Sequence, residues 1–466
     1  MLFKVGLRNI LRNRRRSAVT GLAIAVGALA LLVFGTFQSF IFAGFQTQVV
    51  RGRGHFTVFR DGYFLYGAGN PAAYGIDDYK SVLALIADDP TLKPMLNVVT
   101  PTLSLFGIAG NFQGENDAAK TFLGIGVVPS ARERMRQWDQ FRIASPYLPD
   151  LRLADDDETR GLIGVGLARI LNLCGPLKIA NCPTPPTSTT RKLAAADAPQ
   201  EDFSALVAGD LDRSPDAVRG MPHIDLLAAT AGGAPNVVSL YLAGADPQGV
   251  KEFDDNYIGM HLALAQQLLY GRGEHKVTGI VLQLHRSEDM PAARARLAAL
   301  FKEKGLPLET RDFAELTPNY NQTLTFFRSI FLFITVIIGV IVLFTVVNTM
   351  TMAVMERTNE IGTTRAMGVR RSGIRRQFLL EGSMLGVIGA SLGVVLAVIV
   401  AAIVNRSGLT WTPPGNANSV PLGLYLESPA LFIGTWLGLV LVATIAALIP
   451  ANRAAKLPVV DALRHV

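Results

Sequence analysis

The sequence predicts a membrane α-helical protein with four transmembrane helices and a large mixed α+β extracytoplasmic domain inserted between helices 1 and 2. Three observations predict it. The chain has 466 residues, 50% of them hydrophobic, yet that hydrophobicity is gathered into four long blocks. The interval between the first and second blocks reads as ordinary soluble sequence. The basic residues crowd the flanks of the blocks, where membrane topology places them.

The elements follow in order. Residues 1–16 are predicted to form a cytoplasmic interfacial helix: Phe3, Leu7, Ile10 and Leu11 share one face, while Lys4, Arg8, Arg12 and Arg15 occupy another. That pattern suits a helix lying on an anionic leaflet; the plainer reading is a basic flank that only sets topology. A hydrocarbon core of ~30 Å needs about 20 residues of helix. Residues 17–45 (TM1), 325–355 (TM2), 378–404 (TM3) and 430–451 (TM4) each supply them. None of them carries a charged side chain at its centre apart from Glu381, near the start of TM3. The first run is longer than a signal-peptide core and no clear small-residue cleavage site follows, so an uncleaved anchor is expected.

Lys and Arg set the orientation. The N-terminus, the segment 356–377 and the tail 452–466 are basic and are expected in the cytoplasm. The loop 405–429 has Arg406 as its basic residue and is expected outside, together with residues 46–324. The net charge of +7 therefore belongs to the membrane flanks, which argues against nucleic acid as a partner.

Within 46–324 the pattern mixes periods. Gly54–Phe59, Asn97–Ile108, Thr121–Val128, Val237–Ala243 and Val277–Leu284 read as strands. Ile76–Ala87, Pro129–Trp138, Leu162–Leu171, Met260–Tyr270 and Pro291–Lys304 read as helices, the last ending at Gly305. The segment Val277–Leu284, the helix after it and a strand near Leu308 resemble a β-α-β unit. Residues 183–202 read as a surface loop. Cys174 and Cys182 are the two cysteines, and a disulfide suits an oxidising compartment; the alternative is two unpaired thiols.

Catalytic constellations are missing. There is no G-x-x-x-x-G-K-[ST] loop, no H-E-x-x-H and no zinc spacing, so no catalytic residue, metal or cofactor is assigned to the chain. Gly164–Arg169 starts like a dinucleotide fingerprint but ends on Arg169, and is dismissed. In TM3, Gly382 and Gly386 are four apart, as are Gly389 and Gly393, a spacing that lets helix backbones approach.

The segment after TM2 carries the functional signal. Glu356 and Glu360 are one turn apart, Arg357 and Glu360 are spaced to pair at i,i+3, and Gly368 is placed to end the helix. A short charged helix between two spans is either a docking lever or a basic loop serving topology alone. The run Glu356-Arg357-Thr358-Asn359-Glu360-Ile361-Gly362-Thr363-Thr364-Arg365-Ala366-Met367-Gly368, with Asn348-Thr349-Met350 before it and Phe378–Gly382 after it, resembles the MacB/FtsX/LolC-type ABC transporter permease family. Leu7–Asn13 and Pro450–Val459 resemble the two ends of that family. Gly54-His55 and the stretch from Glu252 to Ile280 match it more weakly.

The resemblance implies a four-helix permease whose first two helices rise as a stalk. Glu356, Arg357, Glu360, Ile361, Gly362, Arg365, Ala366 and Gly368 would form a coupling helix seated on an ABC ATPase subunit dimer that binds ATP and Mg. A second permease copy or homologous permease, membrane lipids, and a periplasmic carrier or adaptor protein are the other implied partners. The location implied is the bacterial inner membrane, both termini cytoplasmic. The expected job is mechanotransmission to the periplasmic domain for lipoprotein release, as in separate-subunit LolC/LolE-like members. MacB-like efflux of small molecules or peptides, and FtsX-like regulation of periplasmic enzymes, are the alternatives.

Overall fold

The structure, a computed structural model, describes residues 8, 12, 14–67, 69, 74–112, 117–143, 151–179, 182, 220–271, 275–412, 419–426, 428–459 and 462. The chain divides into two compact units. A helical unit holds residues 1–45, 318–411 and 420–466, and a sheet unit holds 46–317 and 412–419.

The first helix, α1 (Arg14–Arg53), runs for 40 residues without a break. At 1.5 Å per residue it is about 60 Å long, twice the thickness of a bilayer core. It continues eight residues past the apolar block, through Gly52, and ends at Arg53. Gly54 stops it, with φ +69°, its amide donating to the Val50 carbonyl at 2.9 Å. A side chain there would meet the Leu282 carbonyl at 2.6 Å, so glycine is required twice over.

Among its described residues the sheet unit has nine strands: β1 (Phe56–Arg60), β2 (Leu96–Asn111), β3 (Ala118–Val127), β4 (Arg160–Ile163), β5 (His223–Ala229), β6 (Pro235–Ala245), β7 (Tyr257–His261), β8 (Gly279–Leu284) and β9 (Leu308–Asp312). Their order is β3-β7-β4-β6-β5-β2-β8-β1-β9. The long β2 serves two neighbourhoods. Its first half pairs with β8, and its second half pairs with both β3 and β5, which closes a ring through β7, β4 and β6. The longer helices among the described residues of this unit are α2 (Tyr79–Ala87), α3 (Pro129–Arg136), α4 (Val165–Ile170), α5 (Leu262–Tyr270) and α6 (Met290–Lys304). Phe56, Leu103, Phe122, Ile258, Leu282, Leu297 and Leu268 belong to one continuous core.

Three sequence expectations change here. Tyr257–His261 is a strand, and the helix starts only at Leu262, because the imidazole of His261 caps the Ala263 amide. Residues 160–163 are a strand and the helix is confined to Val165–Ile170. The unit β8-α6-β9 is a split one: β1 lies between β8 and β9, antiparallel to both. The segment 183–202 lies outside the described residues. Cys174 and Cys182 are disulfide-bonded, with Cα atoms 6.2 Å apart.

The chain returns to the helical unit in α7 (Pro318–Glu356), α8 (Thr358–Ala366), α9 (Arg371–Ser407) and α10 (Pro429–Lys456). With α1, the helices α7, α9 and α10 are long and apolar enough to cross a membrane. Thr410–Trp411 and Val420–Pro421, short strands β10 and β11, pair between α9 and α10. Ile24, Ala28, Val346, Met350, Leu385, Ala443 and Ala447 form the interior, while Leu332, Phe333, Phe344 and Ile403 are left exposed on the outside. An apolar exterior is what lipid, not water, solvates.

Candidate functional site

The site is built where α7, α8 and α9 meet. The backbone leaves the helix at Arg357 (φ −108°, ψ 17°), so α8 starts afresh at Thr358. It ends near Gly368, whose φ of +96° is left-handed and whose amide returns to the Arg365 carbonyl. The nine-residue helix is too short to persist by itself. It is held by Ile361, buried among Val354, Ile374, Phe378, Ala451 and Ala454, and by the buried Gly362.

The charges are arranged differently from the spacing rule. Arg357 does not face Glu360. Its Nη1 lies 3.1 and 3.3 Å from the two carboxylate oxygens of Glu381 on α9, and the side chains are only 7% and 5% exposed. Because the backbone breaks at Arg357, the i,i+3 geometry of a continuous helix is lost and the guanidinium turns inward. Glu360 instead takes Arg12 at 2.7 Å, and Glu356 takes Arg16 at 2.7 Å. Arg12 and Arg16 are one turn apart, as are Glu356 and Glu360, so the two segments meet as a ladder. Its outer rung is more than half exposed on both sides, which makes it weak and salt-sensitive. Arg365 donates to the Leu457 carbonyl at 2.6 Å and to the Ala455 carbonyl at 3.4 Å, capping the end of α10. Asn359, Thr363, Ala366 and Met367 remain exposed.

The glycines of α9 face two neighbours. A side chain at Gly386 would meet Ala443 Cβ at 2.9 Å, and Gly382 faces Ala447, both on α10. Gly389 faces Ile24 and the Gly21 carbonyl, and Gly393 faces Ala28 and the Ala25 carbonyl, all on α1. Two further contacts are polar: Thr20 Oγ1 to Thr349 Oγ1 at 2.8 Å, and Ser383 Oγ to Thr444 Oγ1 at 3.0 Å. Hydrogen-bonded hydroxyls between apolar helices are the usual partners of such close packing.

Of the interfacial residues, Arg8 and Arg12 are helical and exposed, and Arg15 lies in the first turn of α1. Phe3, Lys4, Leu7, Ile10 and Leu11 lie outside the described residues. Sequence reasoning missed Arg16, the Arg357–Glu381 pair and the capping role of Arg365. A signal existed for the second: a lone carboxylate in an apolar block requires a buried counter-charge. The glycine run at α4 is closed to phosphate. Asp254 already accepts from the Val165 and Gly166 amides at 3.1 and 2.7 Å, filling the helix N-terminus with its own carboxylate.

The FtsX-like permease C-terminal family matches residues 330–459, which hold α8 and all of its contacts on α9 and α10. Residues 330–459 belong to the FtsX-like permease C-terminal family, and the chain is similar to MacB-type and other ABC permeases. It is 29% identical over 226 residues to the macrolide export ATP-binding/permease protein MacB of a Shewanella species, covering 46% of this chain and 33% of that protein. It is 37% identical over 142 residues to the ABC transporter permease YtrF of Bacillus subtilis, covering 28% and 30%. A Campylobacter jejuni MacB is 29% identical over 218 residues, covering 46% and 32%. The matches thus span about a third of these relatives' own length. The run Glu356–Gly368 is the α8 corner itself: Arg357, Ile361 and Gly362 are buried, Thr358, Thr364 and Arg365 are half-buried, and the others are exposed.

Proposed function

We propose that this chain is the permease subunit of a bacterial ABC transporter driven by a separate ATPase subunit dimer that carries the ATP and Mg. In this reading α8 is the docking helix, and its partner reads Asn359, Thr363, Ala366 and Met367. The observation that carries the proposal is the build of α8. It is a short helix bounded by two backbone breaks, packed on one side and open on the other. Force received there would travel through the spans to the sheet unit, placed outside the cytoplasm by the Lys/Arg bias, so that substrate need not cross the lipid. The length of α1 supports a stalk, since half of it exceeds a bilayer core.

The cargo is lipoprotein released from the inner membrane, or a small molecule or peptide exported with an adaptor. The second is favoured by one observation, the macrolide export named for the MacB relatives. Purification in mild detergent with mass spectrometry of bound proteins and lipids tests both. An ATPase should co-purify with the chain, and Thr363→Arg should release it without loss of membrane insertion. A wild-type chain that retains no nucleotide-binding protein would sink the proposal. A bound carrier for lipoproteins would select the first cargo, and a membrane-fusion adaptor the second. Arg365→Glu is a poor probe of docking, because it would also uncap α10.

A further inference from the structure

We propose that α8 and the third span, α9, form one mechanical body, with Arg357 and Glu381 as the positioning residues that join them. The inference deepens the docking reading and rests on it only in naming α8 as the surface that receives force.

The argument starts from placement. Arg357 is the residue at which the backbone breaks away from α7, so the covalent joint between α7 and α8 is not helical. The side chain at that joint reaches past its own chain to Glu381, 24 residues on, and bonds both of its oxygens. Glu381 immediately precedes Gly382, the first of four glycines through which α9 lies against α10 and then α1. The pair therefore anchors the corner to α9 just where α9 begins its backbone-to-backbone contacts. Such contacts leave little room for one helix to slide along another.

The other holds on α8 are of a different kind. The Arg12–Glu360 rung on α8, like the Arg16–Glu356 rung at the end of α7, is partly exposed and fades with salt. Ile361 and Gly362 pack without direction, because dispersion contacts tolerate sliding. Arg365 ties α8 to the end of α10 through a single guanidinium nitrogen. A buried ion pair is a poor source of stability but a strong source of geometric specificity, since loss of either partner strands a charge in an apolar setting. Arg357 and Glu381 thus set which face of α8 points outward.

Amide hydrogen exchange of the full chain in lipid nanodiscs tests this without any partner. In Glu381→Gln, amides of residues 359–367 should exchange about tenfold or more faster than in wild type, while those of β8 stay unchanged. The double variant Arg357→Glu with Glu381→Arg should recover most of the lost protection. Should Glu381→Gln fail to insert, Arg357→Met with Glu381→Leu decides, because it keeps the volume and removes both charges; fast exchange of 359–367 is again expected. Wild-type protection of α8 in Glu381→Gln or in the apolar double variant would overturn the proposal, as would a charge swap that recovers nothing. The ATPase co-purification experiment is independent of this one, so either idea can fail while the other stands.

Discussion

The helical unit and the sheet unit differ in the side chains at their closest packing contacts. In the sheet unit the interior holds large apolar groups such as Phe56, Phe122 and Leu282, and the outside is mostly polar. In the helical unit the interior mixes Ile24, Val346, Met350 and Leu385 with Gly382, Gly386, Gly389, Gly393, Ala28, Ala443 and Ala447, and many large apolar groups face outward. The difference teaches what each unit is solvated by. In water, apolar area drives folding, so the largest side chains go inside. In lipid that drive vanishes between helices, and close approach of small residues plus hydrogen bonds takes its place. Buried charge is paired in both units, Asp89 with Arg296 in the sheet unit and Arg357 with Glu381 in the helical one, while His55 and Gln283 stay hydrogen-bonded.

Truncating phenylalanine in each unit gives the largest contrast. Phe56→Ala should cost about 3–5 kcal/mol in unfolding of the sheet unit, whereas Phe333→Ala, 67% exposed, should stay within about 0.5 kcal/mol in detergent. Equal losses at both positions, read by denaturant titration, would break the contrast outright. Enlarging glycine reverses the order of sensitivity. Gly389→Val should cost about 1–3 kcal/mol or more in the helical unit, because the new side chain meets the Gly21 carbonyl and Ile24; Gly434→Val, open on all sides, should be near neutral. Thermal melts in one detergent compare the two.

Acid should separate the units next. The Leu284 amide donates to Nδ1 of His55, leaving Nε2–H for Ser287 Oγ, and burial lowers the imidazole from 6.5 to about 3. The folded state therefore keeps His55 neutral while the unfolded chain takes a proton. Sheet-unit stability should be fully present above pH 6.5 and fall by about 1.4 kcal/mol per pH unit as pH drops from there toward 3. Asp89, held below the usual carboxylate range by its hydrogen bond to Arg296, adds a further loss at the acid end. A flat stability profile between pH 6.5 and 4.5 in a variant-free chain, or an unchanged slope in His55→Phe, would remove His55 from the account. The smallest effect belongs to the exposed rung: Arg12→Gln should change stability by no more than about 0.5 kcal/mol, and less still in high salt.

Much of this was legible before folding. Long apolar blocks and their basic flanks determine four membrane helices, because length and hydrophobicity alone set whether a segment prefers lipid. The Gly368 stop was readable as well, since left-handed backbone is cheap only for glycine, whereas the extension of α1 to Gly54 was not. The Glu356–Gly368 run marked the corner. The rest needed contacts between residues far apart in the chain. No local rule places Arg12 beside Glu360, 348 residues away, or sends Arg357 to Glu381 when Glu360 stands three residues off. The strand at 257–261 was hidden because a buried strand and the first turn of a helix carry the same apolar letters. Composition decides which solvent each segment prefers; only packing in three dimensions decides which charge a buried charge will find, because burial removes water as the alternative partner.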